Sequence, residues 1–309
     1  GKRPIDWPGM MAMTVAVTSL VLAMAWGGTL IPWGSLPFMG LVALAVAAAV
    51  VFVLLERRAA EPIIPMGLFR NRNFVLCSVT GLFLNISFMG ALNYLPTFFQ
   101  IVDGLSPEVA GLVCTATSVG ILITSTATGW VASKTGRYKG MLVAMCVVST
   151  VGLLLLSRMQ VHEALWVPVL YLFVLGFGMG LGMQLLVLVM QNEFPHVMVG
   201  TATAANNFFR QIGASVGTAL VGALFTMRLT ADVAGKLTHV DNLSLATLTP
   251  QIVDKLPASA QSVIAAGYSD ALLPLFLWFV PLMLACLVMM LLLKRHPLAT
   301  TINHGGAGK

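Results

Sequence analysis

Charge is what this sequence has least of. Only 9% of its 309 residues are Asp, Glu, Lys or Arg, while 58% are hydrophobic; soluble domains carry roughly 25% charged residues. So little polar surface cannot clothe a water-facing globule of this size. A soluble fold is excluded, and most side chains must face lipid or one another. Cysteine is scarce too. Cys77, Cys114, Cys146 and Cys286 all lie inside apolar runs, and no pair has C-x-x-C spacing, so isolated buried thiols are expected rather than a zinc or redox motif. Carboxylates and histidines are absent from the interiors of the apolar runs, since all eleven acids and all five histidines fall in connecting segments or tails. That pattern excludes a membrane-depth metal site or carboxylate dyad and removes the usual equipment of a membrane enzyme.

What the chain does have is apolar sequence in blocks long enough to cross a bilayer, which takes about 20 residues. Eight runs qualify: Pro8–Trp26, Pro37–Leu55, Phe74–Phe99, Val109–Ala132, Gly140–Ser157, Ala164–Met190, Val199–Phe225 and Ala271–Leu293. The expected fold class is an all-α integral membrane protein of about eight transmembrane helices. Most links are short, but Thr226–Asp270 is long and polar, with Pro250 and Pro257 and room for short amphipathic helices. The first run carries no small-residue cleavage site, so it reads as a span rather than a signal peptide. A sequence opening on Gly1 also reads as a portion of something longer. The net charge of +6 is dispersed in short clusters between runs, unlike an aromatic-basic surface for nucleic acid. With Gly1 placed in the cytoplasm, twelve of the seventeen basic residues lie on the cytoplasmic side, four outside, and Arg210 within a span. The positive-inside rule therefore predicts that both ends are cytoplasmic.

Arg210 is the sharpest chemical signal. It falls about eleven residues into the seventh run, near mid-depth at 1.5 Å per residue, where an arginine costs at least ~2.5–3.5 kcal/mol to insert. Asn206 and Asn207 precede it by one turn and Gln211 follows it, so a donor-rich helical face is expected. Two kinds of role are open to it: lining a cavity, where it binds substrate polar atoms or pairs with a carboxylate elsewhere, or satisfying helix-end carbonyls or snorkelling towards the cytoplasm. Asn85, Met89 and Asn93 recur at i, i+4 and i+8 on the third run, with Tyr94 and Pro96 near its outer end. Such amides either line a cavity or bond between helices. The sixth run reads Gly176-Phe-Gly-Met-Gly-Leu-Gly182, two interleaved small-residue patterns suited to close helix packing. Met179, Met183 and Gln184 on adjoining faces are weaker cavity candidates. Because these glycines lie within a span and follow no strand, they are not a phosphate loop.

The turn between the fourth and fifth runs reads Gly129-Trp-Val-Ala-Ser133-Lys134-Thr-Gly136-Arg137. Gly129, Lys134, Gly136 and Arg137 match the G-x-x-x-D-R-x-G-R cytoplasmic-loop signature, with Ser133 where the acid usually stands, and by this the chain resembles the major facilitator superfamily. The opening Pro4-Ile5-Asp6-Trp7-Pro8-Gly9, the link Glu61-Pro62 through Phe74, Leu95-Pro96, Ser106-Pro107 and Asn207-Phe-Phe-Arg210-Gln211-Ile-Gly213 are similar to the fourteen-span drug:proton antiporters of the EmrB/QacA type. The resemblance implies a linker pair of helices over residues 1–73. A six-helix C-terminal bundle over 74–293 follows, with an outer loop at 226–270 and a cytoplasmic tail at 294–309. It further implies proton-coupled efflux of amphipathic or cationic compounds across a bacterial inner membrane, with no cofactor beyond the proton gradient. Asn85, Met89, Asn93, Tyr94, Met179, Met183, Gln184, Asn207, Arg210 and Gln211 would line the substrate cavity. The implied partners are the bilayer, a small-molecule substrate, an N-terminal half and an envelope adaptor protein, with no nucleic acid. A dedicated exporter of one metabolite fits the same residues; a membrane enzyme or scaffold subunit fits them less well.

Overall fold

The computed structural model describes residues 6–27, 30–59, 62–234 and 249–294. Its helices start where the sequence supplies caps. Asp6 Oδ1 accepts the Gly9 N–H at 3.0 Å to open α1 (Trp7–Trp26), and Ser35 caps α2 (Leu36–Glu56). Both helices are apolar on every face and bury few side chains, as suits lipid-facing spans. A 3₁₀ segment, Met66–Arg70, leads to α3 (Arg72–Leu92), which is capped by Asn71. The third run, expected as one span over Phe74–Phe99, is broken at Asn93 and Tyr94, and α4 (Leu95–Val102) continues it. Pro96 is the cause, because its ring clashes with the carbonyl four residues back and it has no N–H to donate.

Four long helices follow: α5 (Pro107–Thr135), α6 (Lys139–Leu156), α7 (Trp166–Asn192) and α8 (His196–Ala234). Next come the short α9 (Pro250–Val253), α10 (Ala258–Leu272), a 3₁₀ stretch Leu273–Phe279 containing Pro274, and α11 (Val280–Leu292) with Pro281 in its first turn. The expected 226–270 loop is thus partly helical, with α8 running to Ala234 and the last apolar stretch starting at Ala258. Eight helical stretches are long and apolar enough to cross a membrane, and among the described residues the only β pairing is an isolated Gly27–Ile31 bridge. The result is an all-α membrane fold in which the helix pair α1 and α2 lies beside six further spans.

Glycine decides how the bundle closes. α7 is wedged between α5 and α6, and its glycines alternate partners. A side-chain carbon at Gly176 would strike the Thr117 carbonyl of α5, and one at Gly180 would lie 2.6 Å from the Ile121 carbonyl. On the other side, one at Gly178 would sit 2.6 Å from the Ser149 nitrogen of α6, and one at Gly182 would strike Met145. Small-residue spacing therefore draws two helix backbones onto opposite faces of a third. The α1–α2 pair touches the other spans mainly along a seam between α1 and α8.

Connections alternate between two faces, and one of them carries most of the described basic residues. There the bundle is tied by polar bonds. The Asn71 and Asn73 amides donate to Glu193 at 3.1 and 2.7 Å, joining the start of α3 to the end of α7. Asn73 also exchanges bonds with the Lys294 backbone, and Lys139 Nζ donates to the Leu293 carbonyl at 2.8 Å. Hydrogen bonds to a charged group contribute about 1.5–3 kcal/mol each. Glu193→Ala is accordingly expected to lower the melting temperature of the detergent-purified protein by several degrees, while Glu193→Gln, which keeps one amide acceptor, loses less. Equal melting for all three proteins would show that the network holds nothing.

Candidate functional site

At the opposite face, α3, α4, α8 and α10 part to leave an open cavity of about 970 Å³, walled on one side by Val21 and Ala25 of α1. The break after α3 places its key groups. Because the helix stops at Leu92, Asn93 and Tyr94 turn toward α8: the Asn93 amide donates to Thr218 Oγ1 at 2.6 Å and the Tyr94 hydroxyl to the Thr218 carbonyl at 2.9 Å. The Thr218 hydroxyl in turn donates to the Ala214 carbonyl at 2.9 Å. Phe225 stacks between Tyr94 and Tyr268, with centroids 6.1 and 4.5 Å away, to make an aromatic floor. Met89, Thr97, Ser215 and Thr226 complete the polar and adaptable lining. Among the described residues, no acidic side chain lines the cavity. Among the described residues, no cluster of three metal-ligating groups occurs anywhere.

Of the residues singled out from sequence, Met89, Asn93 and Tyr94 meet in this cavity. Asn85 does not: it is buried and its amide bonds back to the Gly81 carbonyl of its own helix at 2.9 Å. Met179 is core, only 1% exposed; Met183 is half-buried against that core, and Gln184 is exposed. On α8 the expected shared face of Asn206, Asn207 and Arg210 divides. Asn206 is fully buried against α3, donating to Ser78 Oγ at 3.4 Å with its Oδ1 unpartnered, whereas Asn207 points away and is exposed. Adjacent residues sit about 100° apart on a helix, and here that turn carries Asn207 out of the α3 interface that Asn206 occupies. Arg210 is half-buried, its stem lying over Gly81, where an added carbon would be 3.0 Å from Arg210 Cγ.

A different set shares the open side of α8. Asn207, Gln211 and Ser215 are all exposed at four-residue spacing, and Ser215 reaches the cavity. They form a polar track running from the cavity toward the basic face. Ser215, Thr218 and Tyr268 were not singled out from sequence, although the spacing Asn207, Gln211, Ser215, Thr218 contained the signal for the first two. Beyond the spans, half-burial pushes the Asp103 carboxyl above its ordinary range; its Oδ1 accepts the His162 N–H at 3.1 Å.

A family model described as the Major Facilitator Superfamily matches residues 8–218. The chain belongs to the Major Facilitator Superfamily. It is 38% identical over 297 residues to an uncharacterized MFS-type transporter of Mycobacterium tuberculosis, covering 96% of this chain and 43% of that protein. It is 34% identical over 265 residues to the multidrug transporter protein MdtP of Bacillus subtilis, covering 86% and 47%. With a tetracycline resistance determinant of Streptomyces rimosus it shares 31% identity over 227 residues, covering 73% and 65%. The chain spans less than half the length of the first two relatives.

In this member of the Major Facilitator Superfamily, the Gly129–Arg137 motif lies on the basic face, away from the cavity. Gly136 ends α5 at φ +65°, a left-handed stop that favours glycine. Lys134 Nζ sits 3.9 Å from the Trp130 ring centroid, and Arg137 is exposed.

Proposed function

We propose that this chain is the C-terminal part of a proton-coupled exporter of amphipathic, often cationic compounds, working in a bacterial inner membrane with the basic face toward the cytoplasm. The observation that carries the reading is the exposed polar track Asn207–Gln211–Ser215 leading into the cavity. Exposed amides on a spanning helix are unfavourable against lipid and suit a water-filled path. The names of the relatives from Bacillus and Streptomyces support efflux as the activity. Substrate would lie between this bundle and a second one, and the two would rock about it. Since no described residue lining the cavity is acidic, a cationic substrate would meet its carboxylate, and the protons their carriers, in the other bundle. Arg210 would answer the protonation of such an acid.

Inverted vesicles carrying the whole transporter test this with a fluorescent lipophilic cation. Uptake driven by an imposed proton gradient and abolished by a protonophore is expected, with Arg210→Ala slowing it and flattening its pH dependence. Uptake indifferent to the protonophore would overturn proton coupling, and full rate with an unchanged pH profile in Arg210→Ala would overturn the role given to Arg210. Resistance profiling in a pump-deleted host separates a broad pump from a dedicated exporter.

A further inference from the structure

Between the α1–α2 pair and the other spans runs a second recess, of about 450 Å³, which the polar track does not enter. Every residue lining it is apolar: α1 and α2 supply one wall with Leu20 and Phe52, the link after α2 supplies Met66 and Phe69, and α8 supplies Phe208 and Phe209. Phe69 meets Phe209 edge to face at 5.9 Å, and Phe209 meets Phe208 at 5.7 Å, so the bundle-side wall is a packed aromatic surface. The volume is that of a small-molecule site, commonly roughly 300–1,000 Å³. Such sites usually hold a few polar groups that orient a drug-like solute, and among the described residues this one has none. Whatever fills it must be apolar within the groove and be held from outside.

The place and length of the groove indicate what that is. At its basic-face end it is lined by Ile64, Met66 and Phe69 of the link. Along α1 its lining runs from Met13 to Leu20, a rise of ~10 Å at 1.5 Å per residue. That stretch brackets the middle of α1, so together with the link residues the groove reaches from the basic face to about mid-depth, comparable to the ~15 Å of half a hydrocarbon core. The same link carries the holding charge: Arg57 and Arg58 at its start and Arg70, next in sequence to the groove-lining Phe69, are all exposed. Among the described residues, the acids nearby are turned to other work. Glu56 is 3% exposed, its carboxylate accepting the Ile63 and Ile64 N–H groups at 3.2 and 3.3 Å, and Asp6 caps α1 through Gly9. Arg72 is already committed to the Leu292 carbonyl at 3.2 Å.

We propose that this groove seats one acyl chain of an anionic phospholipid whose headgroup is held by Arg57, Arg58 and Arg70, making lipid the mortar between linker pair and bundle. Ordinary lipid tails gain little by exchanging bilayer for an apolar groove; juxtamembrane basic residues are what select anionic headgroups. The seam between α1 and α8 leaves this recess beside it, and a resident chain fills it without requiring α2 to touch the bundle.

Native mass spectrometry of the full chain in detergent, titrated with phosphatidylglycerol or phosphatidylcholine of identical chains, tests the assignment. One phosphatidylglycerol adduct is expected to persist at activation energies that strip phosphatidylcholine. Neutralising the holding charge with Arg57→Gln, Arg58→Gln and Arg70→Gln should weaken it at least about tenfold. Filling the groove from the α1–α2 wall, with Ala16→Phe on α1 or Ala49→Phe on α2, should remove the adduct while all three arginines remain. Equal retention of both lipids, or an adduct indifferent to both fillings, would overturn the proposal. A photoactivatable side chain at Ile212, which lines the groove, serves where a filled variant fails to fold. Cross-links to phosphatidylglycerol are expected, and cross-links to polypeptide alone would assign the groove to protein packing instead.

Discussion

Leucine at Gly176 or Gly178 is expected to abolish recovery of a folded, monodisperse protein. Overpacking in an adaptable core costs about 1–3 kcal/mol because neighbouring side chains shift. Here the obstruction is backbone on both sides of α7. A carbon at Gly176 meets the Thr117 carbonyl, and one at Gly178 meets Ser149 backbone and side chain at 2.6 Å. Neither can yield without moving α5 or α6 as a whole, so even alanine at Gly176 should lower the yield. Leucine at Gly111 or Gly140, which have open space around them, is the matched control and should leave recovery unchanged. Size-exclusion profiles and melting curves in detergent give the readout. Normal profiles for the α7 variants would mean that the helices do not pack as closely as described.

Converting the polar track to leucine, as Asn207→Leu with Gln211→Leu, is expected to cut export at least tenfold while preserving expression and melting. Both residues are exposed, and Asn207 and Gln211 have no packing role that leucine would spoil, so the fold should persist or gain. A buried polar group left without its partner costs about 1–3 kcal/mol; lost from a substrate's transition state, that is roughly five- to 150-fold in rate. Vesicle uptake under a fixed proton gradient measures the loss, and Thr218→Val should reproduce part of it by removing the acceptor of Asn93. Undiminished uptake with raised stability would place this side of α8 against lipid and remove the main support for the proposed path.

Much of this molecule could be read before any coordinates. The apolar blocks are legible because each spanning helix must satisfy its own backbone hydrogen bonds in lipid, which leaves a continuous hydrophobic signature. Proline positions carried more than they first showed: Pro96 divides the third run into α3 and α4, and that division turns Asn93 and Tyr94 toward Thr218. Spacing also marked Asn85, yet its amide closes on its own helix at Gly81. Periodicity reports which residues share a face, but not what that face meets.

Eight spans, the basic cluster on one side and the glycine spacing of α7 follow from the sequence alone, because composition and period act locally along a helix. Which glycine meets which helix, and that Asn206 goes inward while Asn207 faces out, depended on rotation and depth of each helix against its neighbours. So did the gathering of Asn93, Tyr94, Thr218 and Tyr268 around one cavity. Those are long-range packing choices among faces of nearly equal hydrophobicity, and where all faces are apolar, only the fit of whole helices against one another selects among them.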